Sequence, residues 1–350
     1  AAYRCGECKD EYRDALSIQL LSARLQAKRT DGEDLSFTLD RLAQELQAQG
    51  KHDEAEPLFR ESLEIARETF GNRHPDTLIS MSNLGLLLHA KGDLAAAELL
   101  CREALEVSRE TLGDRHQDTL ASSNNLGSLL QDMGDLTAAE PLYREALKVM
   151  RETQGSRHPN MLTSISNLGM LLQDKGDFAA AEPLHRESLE AKRETLGNRH
   201  PSTLTSINNL GTLQLVKGDL AAAGPLFREA LEGQRETLGH RHPSTLATIS
   251  NLGMLLMLDK SDLAAAELLI REALKGRHET LGNRHPDTFA SINNLGMLLM
   301  GKGDLATAEP LLREALEGMR ETLGDGHPDT LSTIDNLSQL LEGKRRLRRC

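Results

Sequence analysis

Apolar residues recur along this chain at helical spacing, in segments that are separated by glycine and proline. The segment after Pro75 places apolar residues three or four positions apart, so that they share one face of a helix: Leu78, Met81, Leu84 and Leu88. Gly92 suits the end of this helix, and Asp93 suits the start of a second one, which Gly113 ends. The pattern predicts two amphipathic helices joined by a short turn.

This two-helix unit is repeated along the chain. The tripeptide Asn-Leu-Gly returns in steps of 42 residues, with a single step of 43, and ends as Asn-Leu-Ser; it begins at Asn83, Asn125, Asn167, Asn209, Asn251, Asn294 and Asn336. A loop histidine keeps the same steps, at His74, His116, His158, His200, His242, His285 and His327. Two separate markers with one period predict an array of seven units of about 42 residues. One residue is added within 257–261, where we expect a helix bulge or a longer turn.

The residues at the helix crossings resemble those of the tetratricopeptide repeat (TPR). The first helix carries Leu84-Gly85, and the second carries a small–large–small pattern at Ala97, Cys101 and Ala104. The repeat length and the string Glu-Thr-Leu-Gly-Asn-Arg-His-Pro-Asp-Thr are similar to those of kinesin light chains and nephrocystin-3-type proteins. The resemblance implies an all-α fold, an α-solenoid in which TPR helix-turn-helix repeats form a right-handed superhelix.

The repeat register divides the chain into three parts. Residues 34–326 hold the seven TPR repeats, and residues 327–350 form a C-terminal capping helix with a basic tail. Residues 1–33 form a degenerate half-repeat or cap helix, because Tyr12-Arg-Asp-Ala-Leu16 matches Phe59-Arg-Glu-Ser-Leu63. A start in mid-repeat fits an N-terminal cap or a piece of a longer protein.

Composition excludes several classes of partner and compartment. The formal net charge of −12 disfavours nucleic acid and anionic membrane surfaces, both of which need a basic face. The chain has no apolar run of about 18 residues, so no membrane insertion is expected. Four cysteines are too few for a disulfide scaffold. We therefore expect a cytoplasmic protein, or an organellar one if a presequence was removed.

The sequence pattern does not indicate a catalytic site or a metal site. The loop histidines recur once per repeat, and neighbouring repeats lie too far apart for two of them to share one zinc ion. Cys5 and Cys8 form a lone Cys-x-x-Cys without the second pair that a zinc site needs. Arg–Glu pairs such as Glu98 and Arg102 fit a solvated helix face. We expect no enzyme activity, no metal and no cofactor.

The resemblance places the binding site on the first helices, which line the concave face of TPR arrays. The inward positions then include the seven repeated asparagines, the residues that precede three of them (Asn124, Asn208 and Asn293), and methionines one turn later (Met170, Met254 and Met297). An asparagine amide both donates and accepts, so a column of them could hold a peptide backbone. In the alternative, each amide satisfies the backbone of a neighbouring helix.

These expectations favour a scaffold or adaptor that binds partner proteins or extended peptides in an uncharged, Asn-lined groove. A second hypothesis is a structural subunit of a large multiprotein complex that uses its outer surfaces. A third is the sensor array of a longer signalling protein. No Lys or Arg occupies the inward positions of the first helices, which disfavours acidic peptide partners.

Overall fold

The computed structural model describes residues 35–153, 157–260 and 262–347. The predicted half-repeat in residues 1–33, with Cys5 and Cys8, lies outside the described residues. The described part holds fifteen helices and no strand: α1 Leu35–Ala48, α2 His52–Phe70, α3 Pro75–Ala90, α4 Leu94–Leu112, α5 Gln117–Asp132, α6 Leu136–Thr153, α7 Pro159–Asp174, α8 Phe178–Leu196, α9 Pro201–Val216, α10 Leu220–Thr237, α11 Pro243–Asp259, α12 Leu263–Leu281, α13 Pro286–Gly301, α14 Leu305–Leu323 and α15 Pro328–Leu347. None of these helices is long and apolar enough to cross a membrane.

Successive helices pack against one another as hairpins, with odd-numbered first helices and even-numbered second helices. The chain forms two compact units, unit 1 with Ala1–Asp132 and Pro141–Val149, and unit 2 with Met133–Glu140 and Met150–Cys350. Within unit 2 the backbones of successive first helices approach each other closely, whereas the second helices α8, α10, α12 and α14 reach one another only through their side chains. The predicted all-α fold of TPR helix pairs is confirmed.

The turn inside each repeat follows the sequence prediction. Gly92 takes a φ of 81°, a left-handed conformation that suits glycine, and the Asp93 carboxylate accepts a hydrogen bond from the Ala96 N–H at 3.3 Å. The extra residue between 257 and 261 makes α11 one residue longer than α9, 17 residues against 16. Lys260 then takes the left-handed position, with a φ of 55°. Three residues separate the two helices here, 260–262, as in the preceding repeat, 217–219, so the added residue lengthens the helix and not the turn.

The loop histidines cap the first helices. At each of the seven positions the histidine Nδ1 accepts a hydrogen bond from the backbone N–H two residues later, at 3.1–3.3 Å: His74, His116, His158, His200, His242, His285 and His327. Proline follows most of them, and its missing N–H costs nothing at the first helical position. This local role accounts for their periodic recurrence.

The large residue of the second helix packs against the glycine of the first helix in the same repeat. A Cβ at Gly211 would lie 2.8 Å from the Phe227 ring, so glycine is needed at this position to leave room for the ring. The same pairing joins Gly127 with Tyr143. The small residue one turn earlier, such as Ala181, is 0% exposed. The small–large–small pattern therefore sets how closely the helices of a hairpin pack.

Ion pairs connect the second helices to their neighbours. Glu98 accepts from Arg102 at 2.7 Å, which confirms the expected pairing along the helix. Glu182 contacts Lys217 of the next repeat at 2.5 Å and Arg186 of its own helix at 2.7 Å. These hydrogen bonds, with Lys217 the larger cause, lower the pKa of Glu182 to about 2. Charged side chains of the second helices thus pair along their own helix and with the neighbouring repeat.

Candidate functional site

The seven repeated asparagines, here called the ladder asparagines (Asn83, Asn125, Asn167, Asn209, Asn251, Asn294 and Asn336), all lie on first helices. The surface that the first helices form within each unit is called the first-helix surface. Six of the ladder asparagines are partly exposed, and Asn336 is buried. The ladder asparagines therefore share one position in the repeat within each unit.

Several ladder asparagines donate to the first helix of the preceding repeat. Asn83 Nδ2 donates to Asp40 Oδ2 at 3.1 Å. Asn251 Nδ2 donates to Asn208 Oδ1 and to Thr212 Oγ1, each at 3.1 Å. Asn336 repeats the arrangement by donating to Asn293 Oδ1 and Met297 Sδ, again at 3.1 Å. The partners are side chains, not the backbone groups that the alternative from the sequence named.

The residue that precedes the previous ladder asparagine accounts for most of this pattern. Asp40, Asn208 and Asn293 reach the next ladder asparagine, whereas Ser82 and Ser250 have shorter side chains. The side chains of Asn125 and Asn294, which follow these serine repeats, make no hydrogen bond within the described residues, and neither does that of Asn167, although Asn124 stands at the corresponding position of the preceding repeat. Asn209 reaches only the Met170 sulfur, a weak acceptor, at 3.2 Å. Four ladder asparagines thus keep an amide that is free or weakly engaged.

Burial removes other residues from the predicted ligand contacts. Asn124 and Asn293 are each 8% exposed and Asn336 is 7% exposed. Asn293 and Met297 also accept from Asn336, which uses them in helix packing. Asn124, Asn293, Met297 and Asn336 are therefore not proposed as ligand contacts. Met254 on α11 is partly buried, as the retained ladder asparagines are, and its contact with a ligand stays a prediction.

A pocket of about 360 Å³ opens on the first-helix surface of unit 2. Ten residues from four helices line the pocket: Met170, Gln173, Asp174, Thr205, Asn208, Asn209, Thr212, Gln234, Ser244 and Ala247. Three of them, Met170, Asn208 and Asn209, are predicted site residues. No Lys or Arg lines the pocket. Its chemistry is that of amides and hydroxyls with one carboxylate.

Sequence reasoning missed a set of second-helix residues that reach between the first helices. We call them the floor residues: Met150, Lys192, Gln234, Arg277 and Met319. Four of them contact a Ser or Thr fourteen residues later, at 2.7–3.2 Å, as Lys192 contacts Ser206 and Arg277 contacts Ser291. The signal in the sequence was the Ser or Thr that recurs fourteen residues after each of these four floor residues. It was overlooked because inward positions were expected on first helices only.

Two of the floor residues are buried cations. Lys192 is 6% exposed and donates to the hydroxyls of Ser166 and Ser206 at 3.0 and 2.9 Å. Burial lowers its pKa to about 8. Burial likewise lowers the pKa of Arg277, which donates to the Asp287 carbonyl and to Ser291. The interior between the repeats therefore contains positive charges, which the sequence of the first helices alone did not indicate.

His185 shares this interior. It packs against Gly169 where other repeats carry Tyr143 or Phe227. Burial, with a further contribution from the Lys192 charge, lowers the pKa of His185 to about 4. No group of three or more metal-ligating side chains occurs in the described ranges.

Repeated helix hairpins, a fixed Gly–large pairing and first helices side by side define an array of TPR type. The family model described as Tetratricopeptide repeat matches residues 34–110, 82–152, 118–194, 160–223 and 203–279, and a second model of that description matches residues 288–329. The chain belongs to the tetratricopeptide repeat family. Arrays of this family serve as interaction scaffolds for other proteins and are generally not catalytic.

Several solved structures are similar to this chain. BtubC (BKLC) from P. vanneervenii is 22% identical, with a TM-score of 0.51 over 69% of this chain and 95% of that one. The Rap conjugation gene regulator of plasmid pLS20, in complex with the Phr* peptide, is 15% identical, with a TM-score of 0.67 over 85% and 77%. A Podosopora anserina putative kinesin light chain is 26% identical, with a TM-score of 0.47 over 57% and 95%. A search of curated proteins found no match.

Proposed function

We propose that this protein is a scaffold or adaptor that binds extended segments of partner proteins on its first-helix surface. The observation that carries the proposal is the polar pocket bounded by Met170, Asn208 and Asn209, which lies among the residues expected to contact a peptide. A peptide unit needs both a donor and an acceptor, and a free asparagine amide supplies both. Asn125, Asn167, Asn209 and Asn294 are the ladder residues proposed to act in this way.

The second helices support the same choice of surface. Their Arg and Glu side chains pair with one another across repeats, as Arg193 does with Glu229 at 2.7 Å and Arg235 with Glu272 at 3.0 Å. A partner that docked there would have to compete with these pairs. The alternative of a subunit fixed in a large complex by its outer surface is therefore less favoured, and a sensor array would use the proposed first-helix surface.

The partner class that fits is a polypeptide in extended form. The Rap regulator, which shares the fold, was solved with a peptide bound. We place the protein in the cytoplasm, where Cys101 would stay reduced; this thiol is buried, and burial raises its pKa to about 11. A buried thiol of that kind is unreactive.

Two asparagine variants separate binding from structure. Peptides selected by display against the full chain provide the ligand. Asn209→Ala should weaken their affinity by about 1–2 kcal/mol, because peptide groups would lose their partner, while the melting temperature changes little. Asn251→Ala should instead lower the melting temperature, because Asn208 and Thr212 lose their donor. Fluorescence anisotropy and thermal unfolding measure the two effects.

The opposite pattern would contradict the proposal. If Asn209→Ala unfolds at a much lower temperature and its folded fraction binds as wild type does, the ladder is structural throughout. Asn294→Ala, which removes an amide that makes no hydrogen bond within the described residues, serves as a second test in another repeat. It should resemble Asn209→Ala and not Asn251→Ala.

A further inference from the structure

We propose that the pocket between α7, α9, α10 and α11 receives an arginine side chain of the partner. The inference rests on the proposed function of the first-helix surface and adds the chemistry that this part of it would recognise. Two observations support it: the pocket contains acceptor oxygens that receive no hydrogen bond from the described part of the protein, and the charge of the pocket lining suits a cation.

Two glutamine oxygens in the pocket lining lack a donor. Gln234 is 1% exposed, and its Oε1 has no hydrogen-bond partner in the described part of the chain. Gln173 Oε1 is likewise buried and without a partner there. Both residues line the pocket. A buried carbonyl oxygen without a donor costs free energy, so a ligand that brings N–H groups would recover it.

The charge of the residues that line the pocket favours a cation. Asp174 lines the pocket and no Lys or Arg does, in a protein whose formal net charge is −12. Asn209 adds a further carbonyl oxygen, since its bond to Met170 uses only the amide nitrogen. A cationic side chain is therefore matched to the lining, whereas a carboxylate would meet acceptors and a like charge.

Arginine fits this lining better than lysine does. A guanidinium carries five N–H donors in a planar fork and no acceptor, so one group can serve oxygens on different helices. It is also less strongly hydrated than an ammonium group, which lowers the cost of leaving water. Met170 and Ala247 offer apolar surface for the aliphatic stem.

The other floor residues would not accept the same ligand. Lys192 and Arg277 place a cation at the equivalent position of their repeats, and Met150 and Met319 place a sulfur there. Gln234 is the floor residue with a carbonyl oxygen to offer. The preference for arginine would thus be confined to one repeat. The arginine of an extended peptide would then fix the position of the other peptide residues along the first-helix surface.

The test uses the full chain labelled with ¹³C at the methionine methyl groups, because Met170 lies in the pocket. The probes are blocked pentapeptides, alanine at four positions with a central arginine, citrulline or lysine. Citrulline has the shape of arginine without its charge. The Met170 signal should shift in a saturable manner with the arginine peptide, and the citrulline and lysine peptides should bind at least about tenfold more weakly.

A pair of exchanged variants provides the control. Gln234→Met places in the pocket the residue found at positions 150 and 319, so the fold should be kept, and the preference for arginine over citrulline should disappear. Met319→Gln places the amide in another repeat, away from Met170, and should leave the Met170 titration unchanged. Asp174→Asn should reduce the preference without removing peptide binding.

Four outcomes would count against the assignment or its basis. Equal binding of arginine and citrulline peptides, or a preference that survives Gln234→Met, would overturn the assignment, and equal binding of lysine would overturn the choice of arginine. If display-selected peptides still depend on Asn209 in either case, the proposed function stands without this inference. If those peptides ignore the first-helix surface altogether, the proposed function is wrong as well.

Discussion

Replacing Lys192 with methionine is expected to stabilise the protein by about 2–3 kcal/mol at pH 7. Burial lowers the pKa of this lysine from 10.5 to about 8, so that the charged form is penalised in the folded state. Each unit of pKa difference corresponds to about 1.4 kcal/mol. Two hydrogen bonds to serine hydroxyls offset part of the gain when the lysine is removed. Methionine is the natural residue at positions 150 and 319, where the facing Ser or Thr donates to its sulfur.

The stabilisation should depend on pH in one direction. Because the pKa is lower in the folded state, the unfolded chain binds more protons between about pH 8 and 10.5. The penalty of the wild-type lysine is complete below pH 8 and fades as the pH rises to 10.5. The gain from Lys192→Met should therefore be constant near neutrality and shrink at alkaline pH.

Urea unfolding of wild type and Lys192→Met, at pH 7 and pH 10, measures this effect. Lys148→Met is the control, because Lys148 lies exposed on α6 and should change stability little at either pH. A variant less stable than wild type at pH 7 would mean that the serine bonds outweigh desolvation. A gain that persists at pH 10 would mean that charge is not its cause.

Ala181→Asp is expected to destabilise the protein by about 3 kcal/mol or more, because it buries an unpaired carboxylate. Ala181 is 0% exposed, as are its equivalents Ala139 and Ala223 in the neighbouring repeats. Each repeat contacts mainly its neighbours, so stability is a sum of repeat and interface contributions. The damage should stay local, and unfolding should divide into separable steps.

Calorimetry of Ala181→Asp and of Ala179→Asp makes the comparison within one helix. Ala179 is exposed in the first turn of α8, where an acidic side chain is favourable, so this variant should unfold as wild type does. Hydrogen exchange would show which repeats open first in Ala181→Asp. An unchanged single transition would contradict the description of the chain as loosely coupled repeats.

The sequence predicted the fold because its signals are local. These signals act within a few residues: a glycine ends a helix, an aspartate begins one, and a histidine precedes proline. The same signals recur about every 42 residues. The glycine and the large residue that meet inside a hairpin, as Gly211 and Phe227 do, are also close in sequence. Lys260 shows the limit of such rules, since it adopts the turn conformation without being glycine.

The site was predicted less completely, for physical reasons. Whether an asparagine amide is free depends on the reach of a side chain about 43 residues earlier, as with Asn251 and Asn208. The role of Gln234 depends on a second helix reaching between two first helices, a geometry that amphipathic periodicity does not contain. The alternation of serine and asparagine before the ladder residues was visible, but its meaning required the distances between helices.

Site-specific photocrosslinking tests most directly whether partners bind on the first-helix surface. A benzophenone side chain is placed at Thr205, which lines the pocket, or at Arg186, which is exposed on α8. Each protein is irradiated with a display-selected peptide. We predict crosslinks from position 205 that are lost in the Asn209→Ala background, and none from position 186. Crosslinks from position 186 alone would contradict the account and place the partner on the second helices.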